Sequence, residues 1–213
     1  MVRFDKLLES WAEIYKPLSH DPDKSKKQKT FYRIDSLNAE NEFVRNFNTA
    51  KSPAMAFSTL VDAKVMPGEK AVSYINTVYF MMKQTSNGMK TTPKTDDDAA
   101  CECKADLDGM CQDLCAFLAE LRTAASAGKK MLTFSDGNFD KFDEADPKGS
   151  AMKTIAFPIT SENSNAYRGI DISSINWGSL PQFKNGWWIF AFQFEVKEPR
   201  WLCINPEKYV FKN

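Results

Sequence analysis

The stretch from Trp187 to Val196 alternates between two kinds of side chain with a period of two. Its even positions are wholly apolar and its odd positions pass from apolar to charged: Trp188, Phe190, Phe192, Phe194 and Val196 against Trp187, Ile189, Ala191, Gln193 and Glu195. Because successive side chains of a strand point to opposite faces, this pattern predicts a strand with one face on the core. We expect the rest of the chain to cover that apolar face.

Two segments carry apolar residues at helical spacing. Residues 2–16 predict an amphipathic first helix that ends at Pro17. Residues 96–127 predict a long helix, which begins with a capping Thr95 and three aspartates and ends before Gly128. Its apolar stripe comprises Cys103, Leu107, Met110, Leu114, Phe117, Leu118 and Leu121. We expect this helix to lie on the apolar side of the sheet.

Shorter apolar runs predict further strands at 31–34, 53–65, 71–84 and 167–177. The turn Pro67–Gly68 joins two of them as a hairpin or as neighbouring strands of a meander. Residues 178–185 join the last one to the strand that begins at Trp187, as a C-terminal hairpin. Around Leu37–Phe47, apolar residues that recur at three and four predict another helix.

These elements predict an α+β fold, with a mixed or antiparallel sheet of about four to five strands covered on one face by a long helix, plus an N-terminal helix. The length of 213 residues fits a single domain over residues 1–213. Residues 131–164 scatter aromatic side chains among Asp, Gly and Lys, and we expect a surface insertion there.

Charge and composition narrow the classes of function. The 28 basic residues balance the 28 acidic ones, so no global field draws the chain to nucleic acid or to an anionic membrane. The chain begins without the apolar core of a signal peptide and has no run of the roughly 18 apolar residues that a membrane span needs. We therefore expect it to stay in the cytoplasm in which it is made. Five cysteines, four of them on one predicted helix, argue against a secreted disulfide framework.

Candidate catalytic chemistry is sparse. A serine or cysteine nucleophile needs a base, and the chain has one histidine, His20, inside the polar segment 19–29. We expect His20 to be an ordinary exposed side chain in a mobile surface loop. The phosphate-binding and zinc-protease motifs are missing from the sequence, so we predict no catalytic residues and no cofactor.

Two constellations resemble metal sites. Cys101, Cys103, Cys111 and Cys115 offer four thiols, but they lie along one helix rather than on two loops, so we predict core packing instead of zinc binding. The acidic run 136–140 opens like a calcium loop. Lys141 and Pro147 then occupy the positions of the turn glycine and the closing glutamate, so we predict an acidic surface loop and no metal.

The order of the predicted elements, the motif Asn185–Gly186–Trp187–Trp188–Ile189–Phe190 and the later Cys203 resemble the tail-completion or tail-terminator proteins of long-tailed bacteriophages. The resemblance implies a structural virion protein, assembled in the host cytoplasm. In that family an α+β subunit forms a homo-oligomeric ring, commonly sixfold, that caps the tail tube and faces the head connector. It implies neither a membrane nor a nucleic-acid partner, apart from DNA that passes through the ring lumen.

A ring of this kind would stop tube growth by geometry, because its far side offers no tube-like surface. Candidate contact segments are the basic loop 19–30, the insertion at 131–150 and the turn 178–186. Aromatic side chains serve as anchors at protein contacts, and lysines in a mobile loop reach a partner. The candidate contact residues are Lys26, Lys27, Lys29, Phe139, Phe142, Phe183, Trp187 and Trp201.

Two alternatives remain open from the sequence. One is an enzyme or small-molecule binder with a pocket between the long helix and the sheet, which we expect to stay monomeric at high concentration. The other is an accessory module that binds one host protein, which would form a heteromeric complex.

Overall fold

The alternating stretch forms an interior strand of the larger sheet. This strand, β8 (Trp187–Pro199), pairs antiparallel with β4 (Ala71–Lys83) along the whole length of both. The computed structural model describes residues 4–23, 29–34, 51–59, 62–66, 68, 71–83, 96–134, 155–180 and 186–199. The other strands are β1 (Phe31–Ile34), β2 (Ala54–Ser58), β3 (Asp62–Met66), β5 (Met131–Phe134), β6 (Ile155–Pro158) and β7 (Ile170–Ser179). The helices are α1 (Phe4–Ile14), α2 (Asp96–Ser126) and α3 (Ser164–Arg168).

The described residues contain a six-stranded sheet and a separate two-stranded one. In the larger sheet the order is β1, β2, β4, β8, β7, and β3 lies beside β4 on the same side as β2. β1 and β2 are parallel, whereas every other pair in the sheet is antiparallel. The predicted α+β class, the covering long helix and the N-terminal helix are confirmed.

The single strand predicted over 53–65 is divided. Phe57 pairs with Val78 and Asp62 with Ile75, so five steps on one strand match three on the other and two extra residues lie between β2 and β3. At this break, the backbone N–H and the hydroxyl of Thr59 both donate to the carbonyl of Ile34, at 2.9 and 3.1 Å. The alternation continues through the break in the sequence, which is why the pattern does not reveal it.

The even-numbered side of β8 faces the main core, as predicted. Phe192 and Phe194 are fully buried there beside α1, and Phe4 packs edge-on against Phe194 with ring centroids 5.5 Å apart. Every member of the predicted stripe of α2 is buried, and all of them except Cys103 belong to the same main core. The long helix therefore covers the apolar side of the sheet.

The opposite face of the sheet carries a smaller buried cluster of Ile34, Ala54, Ala56, Met81, Trp187 and Ile189. Farther along β8 this face becomes polar. Gln193 donates to Thr77 at 3.3 Å, and the Ser73 hydroxyl donates to Glu195 at 2.6 Å. The predicted change from apolar to charged along the odd positions is thus a change along one face of the sheet.

Polar contacts fix α2 on the sheet and on Tyr15, the residue that follows α1. The indole N–H of Trp177 donates to Asp108 at 2.8 Å, and the Tyr15 hydroxyl donates to Asp113 at 2.6 Å. The ammonium of Lys104 lies 4.5 Å from the ring centroid of Trp188. α2 is followed by Gly128 at a φ of 71°, the left-handed conformation expected after a helix end.

The region predicted as an insertion is anchored at both of its ends. β5 and β6 pair antiparallel, with Leu132 opposite Phe157, and both side chains are buried in the main core. The ring of Phe157 meets that of Phe117 on α2 at 4.9 Å. These ends are therefore part of the core rather than of a surface insertion, while residues 135–154 lie outside the described residues, as does the predicted helix at 37–47. None of the described helices combines the length and the apolar character needed to cross a membrane.

Candidate functional site

The candidate site consists of the outer strands of the larger sheet, whose backbone groups could pair with another chain. β1 and β7 lie at opposite edges, and each has a strand on one side only within the described ranges. An edge strand presents backbone N–H and C=O groups that are ready to pair with another chain. The two edges are unlike, because β1 has four residues and runs parallel to its neighbour whereas β7 has ten and runs antiparallel.

The pairing of β7 with β8 is interrupted by a bulge. Between Asp171 and Asn176 its register against β8 shifts, and the Ser174 hydroxyl fills the gap. That hydroxyl accepts the N–H of Glu195 at 2.8 Å and donates to the carbonyl of Asp171 at 2.7 Å. A side chain thus replaces a backbone acceptor where the ladder is interrupted, and the far end of β7 returns to regular pairing.

The start of β7 is held by charge and by close packing. The Asp171 carboxylate accepts the hydroxyl and the N–H of Ser173 at 2.6 and 3.1 Å and pairs with Lys197 at 3.2 Å. The Ser173 hydrogen bond, followed by the Lys197 contact, keeps the pKa of Asp171 below its ordinary value. Just before the strand, a Cβ on Gly169 would overlap the carbonyl oxygen of Lys197. This junction therefore requires glycine.

Beyond the bulge, one direction of β7 remains open. The N–H of Leu180 donates to the carbonyl of Ile189 at 2.8 Å, towards β8. Because backbone groups alternate along a strand, the N–H of Ser179 points away from β8, to the outside of the sheet. Ser179 is also exposed. A new strand could therefore pair here without disturbing the existing ladder.

The other edge is organised around His20, which is buried with 5% of its surface exposed. Its Nδ1 accepts the N–H of Phe31 at 3.2 Å and, more weakly, that of Thr30 at 3.4 Å. Its Nε2 lies 3.9 Å from a carboxylate oxygen of Glu9 on α1. The prediction of an exposed loop histidine is therefore wrong. The imidazole supplies an acceptor for the N–H of Phe31, the first residue of β1, and for that of Thr30 just before the strand.

Charges surround this histidine. Arg33 on β1 pairs with Asp5 at 2.9 Å and with Glu9, so that two of the three carboxylates of α1 are engaged. Burial lowers the pKa of His20, and this effect exceeds the opposite influence of Glu9. Since both ring nitrogens face groups of the protein itself, we interpret the cluster as the connection that holds β1 to α1.

The cysteines of α2 differ in their exposure. Cys103 and Cys111 are buried in the core, Cys115 is half-buried and Cys101 is exposed. Burial raises the pKa of Cys111 to about 12 and raises the pKa values of Cys103 and Cys115 as well. Cys103 and Cys111 thus pack as small apolar side chains, as predicted, whereas the prediction of core packing is wrong for Cys101, which is exposed. Within the part of the chain that the structure describes, no three His, Cys, Asp or Glu residues are grouped as metal ligands.

The predicted contact residues fall mainly outside the described ranges. Lys26, Lys27, Phe139, Phe142, Phe183 and Trp201 lie there, as does the acidic run 136–140. Lys29 is half-buried next to β1, and its carbonyl accepts the hydroxyl of Tyr32 at 2.6 Å. Trp187 is 4% exposed and belongs to the smaller buried cluster. The role of these residues in binding a partner stays a prediction.

Several residues that shape the two edges carry no signal in the sequence. Ser174, Asp171 and Gly169 act through partners on β8, and Arg33 acts through α1. Only the tertiary fold brings these partners together. Comparison of the chain with protein-family models finds no match, and comparison with curated proteins finds none either.

Proposed function

We propose that the protein is a structural subunit that closes into a homo-oligomeric ring, of the kind that terminates a bacteriophage tail and joins the tail tube to the head connector. The observation that carries this proposal is the pair of unlike outer strands, β1 and β7, at opposite edges of one sheet. A contact between two different surfaces of the same subunit is the type that generates rings.

The strand directions suit such a contact. β1 runs with β2, and each step from β2 through β4 and β8 to β7 reverses direction. β7 of a neighbouring copy, placed beside β1 with the same sheet face upward, would therefore run antiparallel to it. Addition of a strand to a sheet edge supplies affinity through main-chain hydrogen bonds. Repeated from copy to copy, it makes one continuous sheet that ends when the rotation closes.

Two of the three predicted contact segments lie next to these strands in the chain, and the third, 131–150, does not. The turn 178–186 begins at the open end of β7, and the basic loop 19–30 leads into β1. The ring contact would thus combine strand pairing with the side chains of both segments. We further propose that the ring lies at the end of a tail tube and stops its growth, because its far side presents no surface for another tube subunit.

Ser179→Pro tests the proposed contact. Proline removes an outward N–H from β7 and leaves the N–H of Leu180 in place for its bond to Ile189. We expect Ser179→Pro to abolish rings, whereas Ser179→Ala, which keeps the backbone N–H, forms them as the natural chain does. Sedimentation velocity measures the distribution of masses for all three proteins.

The two variants separate assembly from folding. Circular dichroism should show the same helix and strand content for both, since Ser179 is exposed. Equal ring formation by Ser179→Pro and Ser179→Ala would refute pairing through β7. A natural chain that stays monomeric at every concentration would refute the ring itself.

A further inference from the structure

β3 is a third strand with an unpaired edge among the described strands, and its side chains are exposed. All four of its side chains that the structure describes, from Asp62 to Val65, are exposed, and Val65 keeps 55% of its surface. β3 pairs with β4 on one side, and among the described strands none lies on its other side. Exposed edge strands are sites of pairing with another chain unless they are protected.

The register places the side chains of β3 on defined faces. Asp62 lies opposite Ile75 and Lys64 opposite Ser73, so these two charges share the sheet face that carries the smaller buried cluster. Ala63 lies opposite Tyr74, on the face covered by the helices. On one face, β3 therefore carries an acidic side chain, Asp62, and a basic side chain, Lys64. Ala63 stands between them in the sequence, on the other face.

We propose that β3 pairs antiparallel with β3 of a second copy of this chain, about a two-fold axis through Ala63. Such an axis stands perpendicular to the sheet and keeps each face on its own side. Asp62 then lies opposite Lys64 of the second copy, and Lys64 opposite Asp62 of the second copy. Two opposite-charge pairs form, one at each side of the Ala63 contact.

The charges select this register against its neighbours. Moving the pairing by two residues in one direction places Lys64 opposite Lys64 of the second copy. Moving it in the other direction places Asp62 opposite Asp62 of the second copy. Like charges directly opposite are destabilising, and a slip of one residue would exchange the two faces. The sequence extends the symmetry, because Val61 stands as far before Ala63 as Val65 stands after it.

The two-fold contact uses β3 and the proposed ring uses β1 and β7, so different substitutions test the two contacts. β3 lies beside β4 on the same side as β2 and β1, so a second copy paired through β3 extends along the side of the sheet that the ring neighbour would occupy. If the two-fold contact fails, rings still form. If the ring fails, dimers still form.

Charge reversal tests the pairing, in a Ser179→Pro background that separates it from ring closure. Asp62→Lys and Lys64→Asp each replace two attractive contacts with two repulsive ones, and we expect each to raise the dimer dissociation constant about tenfold or more. The double variant D62K/K64D restores the opposite-charge pairs, so its dissociation constant should return to within about threefold of the background protein. Lys129→Asp makes the same change in charge at an exposed site after α2 and should leave dimerisation unaltered. Sedimentation equilibrium measures all of these constants.

Disulfide trapping tests the position of the axis. Directly opposite residues in an antiparallel pair have Cα atoms about 4.5–5.5 Å apart, within the range of a disulfide. With Cys101 and Cys203 changed to serine, Ala63→Cys should oxidise rapidly to a covalent dimer. Val65→Cys should not, because about four residue steps, or about 13 Å, would separate the two thiols along the strands.

Each of three outcomes would overturn the proposal. The first is a background protein that remains monomeric at every concentration and gives no covalent dimer through Ala63→Cys. The second is a dimer that neither charge reversal weakens. The third is equal trapping at positions 63 and 65.

Discussion

His20 shows what one buried side chain does for the edge of this sheet. Its unprotonated Nδ1 accepts the N–H of Phe31, and its Nε2 carries the proton, on the side of Glu9. A second proton on the ring would remove that acceptor and set two donors against each other. The folded protein therefore stabilises the neutral form of His20. The connection between α1 and β1 depends on that form.

Stability should consequently fall in mild acid. The pKa of His20 is lower in the folded protein than its ordinary value of 6.5, so the contribution of the neutral ring is complete above that pH and is lost as the pH falls below it. The slope of the free energy of unfolding between pH 7 and 5 should approach, but not exceed, about 1.4 kcal/mol per pH unit for this one group. Urea denaturation at a series of pH values measures it.

His20→Gln is the matched variant, because its amide oxygen accepts a hydrogen bond but does not titrate. We expect a flatter profile between pH 7 and 5 in His20→Gln. Asp171, whose folded pKa lies below 3.8, affects stability only in more acidic solution and is not confused with His20. An unchanged slope in His20→Gln would show that other groups cause the pH dependence.

Two glycines near β7 form a matched pair for a second test. A Cβ on Gly169 meets the backbone of Lys197, which is fixed by its own N–H bond to the Gly169 carbonyl at 2.8 Å, whereas a Cβ on Gly178 meets nothing within 4 Å. Gly169→Ala should lower the free energy of unfolding by about 1–3 kcal/mol. Gly178→Ala should change it by less than about 0.5 kcal/mol. Thermal unfolding of both variants checks the difference, and equal effects would contradict the close approach.

At the scale of the element, α2 joins the sheet to the rest of the core. Its buried stripe runs from Cys103 to Ala125, and the guanidinium of Arg168 donates to the carbonyl of Ala125 at 2.9 Å near the end of the helix. A cation that binds the last carbonyls of a helix satisfies acceptors that have no partner within it. One helix thus organises contacts with both sheets and with α3.

Truncation of a buried side chain in this stripe should therefore lower the free energy of unfolding. Leu114 is fully buried at the middle of α2, so Leu114→Ala removes packed methyl groups and leaves a cavity. The expected loss is about 2–5 kcal/mol in the free energy of unfolding. Glu120→Ala, at an exposed position of the same helix, should cost no more than about 0.5 kcal/mol. Chemical denaturation of both variants measures these changes in the free energy of unfolding. A small effect of Leu114→Ala would mean that α2 does not organise the core.

The elements that the sequence predicts well are those with long, regular periodicity. The apolar stripe of α2 extends over several helical turns, and the alternation of β8 extends over most of the strand. Each pattern therefore predicts the buried side of its element correctly. β5 and β6 have four residues each and become strands by pairing with each other, which no local pattern signals. The burial of His20 likewise depends on N–H groups at Thr30 and Phe31, which only the return of the chain brings near.

At the scale of the molecule, the larger sheet has two faces and, among the described residues, three strands with an unpaired edge. The helices cover one face, and β1, β3 and β7 lie at the edges with one strand neighbour each in the described ranges. A formal net charge of zero leaves no long-range repulsion to keep copies apart. Proteins usually protect their edge strands against pairing with other chains, and in this chain we propose that these strands form the contacts of an assembly.

Electron microscopy of the purified natural chain tests the central claim most directly. Negatively stained particles should be closed rings with a central hole, of a single subunit number, in class averages from one preparation. A field of separate particles with the size of a single 24.2 kDa chain, unchanged as the concentration rises, would contradict the account.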